Sequence, residues 1–318
     1  MHVYGYMDNI MMEPNMALWW AHGGPRVGRQ LRPAATAGEY GHGMSSASTR
    51  EEKREREVLV NNTFMSLLGD QKTSAAETCV CVMCVKPQKI WVDFLLEMKR
   101  KHNYDMYLIV DDNSVRYQIN GITIVQIGDE FCKQVGFMNA SPLVKNNEPS
   151  VWDKMFLYFS YNNQYKNYWI LENDVFVPTI DTIHDIDTKY KEKDILCSGH
   201  AVKEDDKVLD WHWQRMKFKG RYAFELPWHS SMVCAIRLTS AFFDQCRQSV
   251  LKNKRLFFLE FFINTLAQKN HITCTPIPEL SEIHFRKNYT AADLQDRNKL
   301  YHPVKDVSLH EKIRARYT

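Results

Sequence analysis

The chain has 318 residues, 44% of them apolar and 12% aromatic, enough to fill the core of one large α/β domain or two smaller ones. Its 41 basic residues are nearly matched by 38 acidic ones, and a net charge of +3 carries no electrostatic footprint for nucleic acid. No stretch reaches the ~18 consecutive apolar residues of a membrane-spanning helix. Met1–Trp20 lacks a basic leader and is interrupted by Asp8, Glu13, Pro14 and Asn15, so the sequence by itself points to the cytoplasm and leaves the true compartment open.

Residues 1–77 are expected to form a disordered or weakly helical N-terminal segment. Their first fifty residues have no helical or strand period, and Arg50–Glu57 is a charge run of the kind found on solvated helices. A domain is predicted over residues 78–290, followed by a wrapping tail over 291–318. The domain opens with an apolar strand from Thr78 that holds Cys79, Cys81 and Cys84. Neighbouring side chains on a strand point to opposite faces, and no fourth ligand lies nearby, so these read as reduced core cysteines and not as a zinc site.

Beyond Lys86-Pro87, the spacing of Trp91, Leu95 and Met98 predicts a helix, and Tyr104–Val110 a second strand closed by Asp111-Asp112-Asn113. Ile122–Ile127 reads as a third strand. Trp152, Met155, Phe156 and Phe159 mark a helix, Tyr168–Leu171 a strand, Ile180, Ile183, Ile186 and Tyr190 a helix, and Asp194–Cys197 a strand. Then follow a predicted strand over Ser231–Ile236 and helices over Thr239–Gln248 and Leu256–Gln268. Alternation of this kind predicts a mostly parallel, Rossmann-like sheet flanked by helices in a single domain.

Ligands of such sheets bind beyond the carboxyl ends of the strands. Two predicted strands end in acids, one in Asp111-Asp112 and one in Glu172-Asn173-Asp174. Glu172 and Asp174, spaced by one residue, can offer oxygen ligands to a hard cation such as Mn²⁺ or Mg²⁺, which keeps open positions for the phosphates of a nucleotide-diphosphosugar. Read without function, the same acids merely start a turn. The first βα loop, Val85–Lys89, has no glycine, which argues against a dehydrogenase or methyltransferase. Trp211, His212, Trp213, Trp228 and His229 form an aromatic and imidazole-rich stretch suited either to stacking on sugar rings or to filling a core.

Trp152-Asp153-Lys154 and Tyr168–Phe176 resemble the helix and metal-binding strand of GT-A type glycosyltransferases. Trp228-His229-Ser230-Ser231, Arg237-Leu238-Thr239 and Phe258–Leu266 are similar to the acceptor half of the branching N-acetylglucosaminyltransferase and xylosyltransferase group. The resemblance covers roughly Thr78 to His284, and its triplet opens with Glu172 where the family motif has Asp. It implies a GT-A fold and a metal held by Glu172, Asp174 and a late histidine, His284. It also implies donor contacts from Asp111, Asp112, Lys154, Asn173 and Arg286 or Lys287, with Glu260 as the base that takes the acceptor proton in an inverting transfer. Asp244 and Glu225 are lesser candidates. The expected partners are a nucleotide sugar and a carbohydrate or glycoconjugate acceptor, with no nucleic acid and no membrane span. Donor sugar, acceptor, stereochemistry and oligomeric state are not specified by these residues, and a catalytically silent GT-A-like domain that binds carbohydrate or protein is the competing expectation.

Overall fold

The computed structural model describes residues 76–141, 148–205, 217–218, 221–222 and 224–317. The expectations for residues 1–75 and for Trp211, His212 and Trp213 fall outside these residues. In chain order the elements are β1 (Thr78–Cys84), α1 (Lys89–Lys101), β2 (Asp105–Val110), β3 (Thr123–Val125), α2 (Asp129–Val135), α3 (Val151–Tyr161), β4 (Asn167–Glu172), α4 (Thr182–Lys189) and β5 (Ile195–Cys197). Short strands β6 (Ala201–Lys203), β7 (Lys217–Phe218), β8 (Arg221–Tyr222) and β9 (Trp228–Ser230) follow. The chain then forms β10 (Ala235–Thr239), α5 (Ser240–Asn253), α6 (Leu259–Lys269), β11 (Cys274–Pro276), β12 (Glu282–Ile283), β13 (Tyr301–His302) and α7 (Val307–Arg314).

Seven strands form the central sheet in the order β11-β5-β10-β4-β1-β2-β3. All neighbours run parallel except at β10, which is antiparallel to both β4 and β5. Both faces of the sheet are covered, and this explains why β1 reads as a continuous apolar run. Cys79, Cys81 and Met83 pack with α3, α5 and α6 on one side, while Val80, Val82 and Cys84 pack with α1 and α4 on the other. The eight cysteines are all free and buried, and β1 sends Cys79 and Cys81 to the face opposite Cys84.

The chain runs outward from β1 through β2 to β3, then returns to lay β4 on the other side of β1. That reversal makes the carboxyl ends of β1 and β4 the topological switch point, where a crevice opens in sheets of this kind. Register brings the exits level, with Cys84 opposite Val110 and Met83 opposite Glu172. Asp111-Asp112 and Asn173-Asp174 therefore leave the sheet at the same level on either side of β1.

One segment differs from the sequence expectation. The strand predicted over Ser231–Ile236 begins at Ala235 and extends to Thr239, because the backbone of Ser231 is drawn away to the Glu260 carbonyl at 3.1 Å. Residues beyond 290, expected as a wrapping tail, pack against the elements before them. Tyr301 exchanges both backbone hydrogen bonds with Phe176, at 2.8 and 3.1 Å, and Val304 N–H donates to the Asp174 carbonyl at 2.7 Å. Phe176, Tyr289, Leu294, Tyr301, Val304 and Ile313 form a core of their own, and α7 docks by placing the Arg314 guanidinium 3.7 Å from the Phe94 ring centroid.

Arg237 on β10 is fully buried and donates to Asp187 at 2.9 Å and to the carbonyls of Tyr190 and Lys193 at 2.9 and 2.5 Å. Asp187 also accepts from the Trp169 indole and the Tyr104 hydroxyl, tying α4 to the sheet. Replacing Asp187 with Ala strands a buried guanidinium, and the expected loss is about 3 kcal/mol of unfolding free energy. Urea unfolding would show it as a lower midpoint with unchanged slope; a midpoint shift below about 1 kcal/mol would contradict the role assigned to this pair.

Candidate active site

Glu172 ends β4, and its Oε1 accepts the Trp152 indole N–H at 2.8 Å. That bond leaves Oε2 turned toward His302, whose Nε2 lies 3.4 Å from it and 3.2 Å from Asp174 Oδ1. Asp174 is 6% exposed, and its Oδ1 receives no well-aligned hydrogen bond among the described residues. The other ring nitrogen of His302, Nδ1, meets the His284 carbonyl at 2.7 Å. A donor at Nδ1 fixes the tautomer and turns Nε2 toward the carboxylates, the arrangement in which histidines ligate metals.

Cys234 completes the cluster. Antiparallel pairing of Ala235 with Leu171, extended by the Glu172 N–H to Cys234 carbonyl bond of 2.8 Å, sets Cys234 directly across from Glu172. One donor atom each from Glu172, Cys234 and His302 lies within 4.8 Å of the others. Burial alone would push His302 toward neutrality, but Asp174, Cys234 and Glu172 outweigh it and hold its pKa far above the ordinary value. Burial likewise disfavours the Glu172 carboxylate, and His302 with the Trp152 and Cys234 hydrogen bonds brings its pKa below the usual range.

The expected late histidine was His284. Its ring lies 3.5 Å from Glu282 and is half exposed, while its backbone amide and carbonyl both bond to His302. Parallel pairing of Ile283 with His302 makes this arrangement, so His284 supports the histidine that reaches the carboxylates. The only sequence sign of His302 was a polar residue inside the apolar run Leu300–Val304, within a segment read as tail.

Lys154 was expected to meet a diphosphate. Its side chain is 1% exposed, and its ammonium lies 2.6 Å from Asp111 and 2.7 Å from Asp129. It braces Asp111 from beneath and is not presented at the surface. Asp112 accepts from Ser114 N–H at 2.9 Å and from Tyr117 hydroxyl at 2.8 Å, contacts that depress its pKa, led by those to Ser114. Asn173 contributes its carbonyl to the Trp91 indole at 2.8 Å. Arg286 is exposed and stacks over Phe285, and the adjacent Lys287 pairs with Glu282. Asp244 is half exposed beside Arg247, and Glu225 is exposed. Trp228 is fully buried with its indole bonded to the Phe224 carbonyl, hence core filler, whereas His229 is half-buried and meets His200 at 2.8 Å.

Glu260 occupies the first turn of α6. Burial, with a smaller contribution from the charge of Glu172, raises its pKa from 4.5 to about 7. No protein-family model and no curated protein matches the chain.

A raised carboxyl pKa means that the folded protein favours the protonated form, so Glu260 costs stability progressively as pH climbs from 4.5 to about 7. Glu260→Gln is therefore expected to raise the melting temperature near pH 8 and to leave it unchanged near pH 4. Calorimetry at both values tests this; an equal shift at both would mean that the effect is not ionisation.

Proposed function

We propose that the chain is a glycosyltransferase of GT-A type that moves a sugar from a nucleotide-diphosphosugar to an acceptor hydroxyl, inverting the anomeric centre, with a divalent cation at Glu172, Asp174 and His302. The observation that carries this reading is the convergence of these three side chains at the switch point of the sheet, with the raised-pKa carboxyl of Glu260 near enough to feel the charge of Glu172. The donor set suits a cation: two carboxylates converge on one imidazole, a divalent ion in place of the His302 Nε2 proton would keep positive charge between them, and Asp174 Oδ1 is buried without an aligned donor among the described residues. When bound, Mn²⁺ or Mg²⁺ would neutralise charge on a departing diphosphate.

The remaining chemistry belongs to the chain's own residues. Ionised Glu260 accepts the proton of the acceptor hydroxyl as that oxygen forms its bond to the anomeric carbon. The bond from the anomeric carbon to the diphosphate oxygen breaks at the same time, and its electron pair leaves with the nucleoside diphosphate. Asp111, held by Lys154, and Asp112, held by Ser114 and Tyr117, stand where a ribose or base would be contacted beside the switch point. Their rigid support limits the ordering that donor binding would otherwise require.

Incubation with a panel of nucleotide sugars tests the proposal. Slow donor hydrolysis and inverted transfer to acceptor are expected. Glu260→Gln should lower transfer by ~10²–10⁴-fold with donor binding nearly unchanged. His302→Ala should abolish turnover, whereas His284→Ala, which keeps the backbone carbonyl, should retain most of it. Absence of turnover with every donor, despite a folded protein, would favour a silent carbohydrate- or protein-binding domain.

A further inference from the structure

The cation site proposed above is built from oxygen and nitrogen donors, and a sulfur stands among them. Cys234 belongs to the same cluster as Glu172 and His302, with donor atoms all within 4.8 Å of one another. Its position follows from the sheet: the residue across an antiparallel ladder from Glu172 must present its side chain on the same face. The other cysteines on the strands serve as apolar filler, with Cys79 and Cys81 packed under α3 and Cys84 under α1. Cys234 packs in the same apolar cluster as Cys84 but differs in that its thiol also meets a carboxylate and an imidazole.

Asp174 Oδ1 provides an independent sign that something is gathered here. It is an oxygen buried within 3.2 Å of His302 Nε2 and has no aligned hydrogen bond among the described residues. His302 is held in a ligand's orientation by the His284 carbonyl. Glu172, Cys234 and His302 offer one oxygen, one sulfur and one nitrogen, with Asp174 beside the same imidazole, and sites with sulfur and nitrogen ligands favour zinc over the hard cations that prefer oxygen alone.

We propose that the Cys234 thiolate is a protein ligand of the cation held by Glu172, Asp174 and His302, so that this centre selects a thiophilic divalent ion, zinc before magnesium. The inference rests on the cation site of the proposed function and replaces the magnesium or manganese expected from the triplet. Binding converts Cys–SH to a metal-bound thiolate and takes the Nε2 proton from His302 as well, so that two protons are released to solvent. Retaining the ion then depends on a sulfur that oxidants can remove from the donor set.

Cobalt(II) titration of the metal-free full chain provides the test, because a thiolate on cobalt produces a sulfur-to-metal charge-transfer band that oxygen and nitrogen ligands do not. One equivalent of cobalt should give this band, zinc should displace it, and ~100-fold higher magnesium should not. Cys234→Ser should lose the band and bind zinc at least ~10-fold more weakly while still binding cobalt through the remaining donors. X-ray absorption of the zinc-loaded wild-type chain should show one sulfur scatterer, a measurement that does not depend on any variant folding. Cobalt bound with no charge-transfer band and no sulfur scatterer would overturn ligation by Cys234 while leaving the three-residue site standing. Failure to bind cobalt or zinc at all would overturn both.

Discussion

A buried carboxylate and a partly buried one lie within reach of one imidazole at the end of β4, and much of the molecule is arranged around that constraint. Glu172 and Asp174 cannot share a secluded site as bare anions, because each would lose solvation and repel the other. His302 lies 3.4 Å from one and 3.2 Å from the other. At such distances each attraction is about 5 kcal/mol with an effective dielectric of 20, enough to outweigh the tendency of burial to neutralise the ring. The positive partner has to come from somewhere, and the chain brings it from beyond residue 290. The pairing of β12 with β13, the exchange of hydrogen bonds between Tyr301 and Phe176, and the docking of α7 on α1 all hold that return segment in place. The C-terminal segment therefore serves to place one side chain as well as to cover the sheet.

The same logic recurs two strands over. Asp111 leaves β2 level with Asp174, and the fully buried Lys154 ammonium compensates it together with Asp129. A buried lysine is tolerated only with its charges met, which is why a residue that reads as a solvated helix position is found beneath the site. Glu260 is the exception, a carboxyl in an apolar turn whose rise to about 7 follows from burial first and from the charge of Glu172 second.

The framework was legible because it depends on local pattern. Thr78–Cys84 is a continuous apolar run because it is a parallel strand covered on both faces. Trp91, Leu95 and Met98 lie on the buried side of α1 as their spacing implies, and the acidic triplet falls at a strand's carboxyl end. His302 and Cys234 were not legible because their roles arise from pairing between distant segments. Nothing near His302 has a period that announces a strand, since β13 is two residues long and lies apart from the central sheet. Cys234 reads as a small hydrophobe until the antiparallel register of β10 sets it across from Glu172. The direction of β10 itself is invisible to hydrophobic periodicity, which is identical for parallel and antiparallel strands. Trp228 shows the converse, an indole suited by type to sugar stacking that the fold uses as core.

The central claim is that Glu172, Asp174 and His302 form one cation-dependent site for a nucleoside diphosphate. Isothermal titration of the full chain with uridine and guanosine diphosphates, with divalent cation and then with chelator, measures it most directly. The account predicts saturable binding of one of them with cation present, loss of that binding on chelation, and loss in Asp174→Ala with the fold intact. Equal affinity with and without the cation, or binding unchanged in Asp174→Ala, would contradict it.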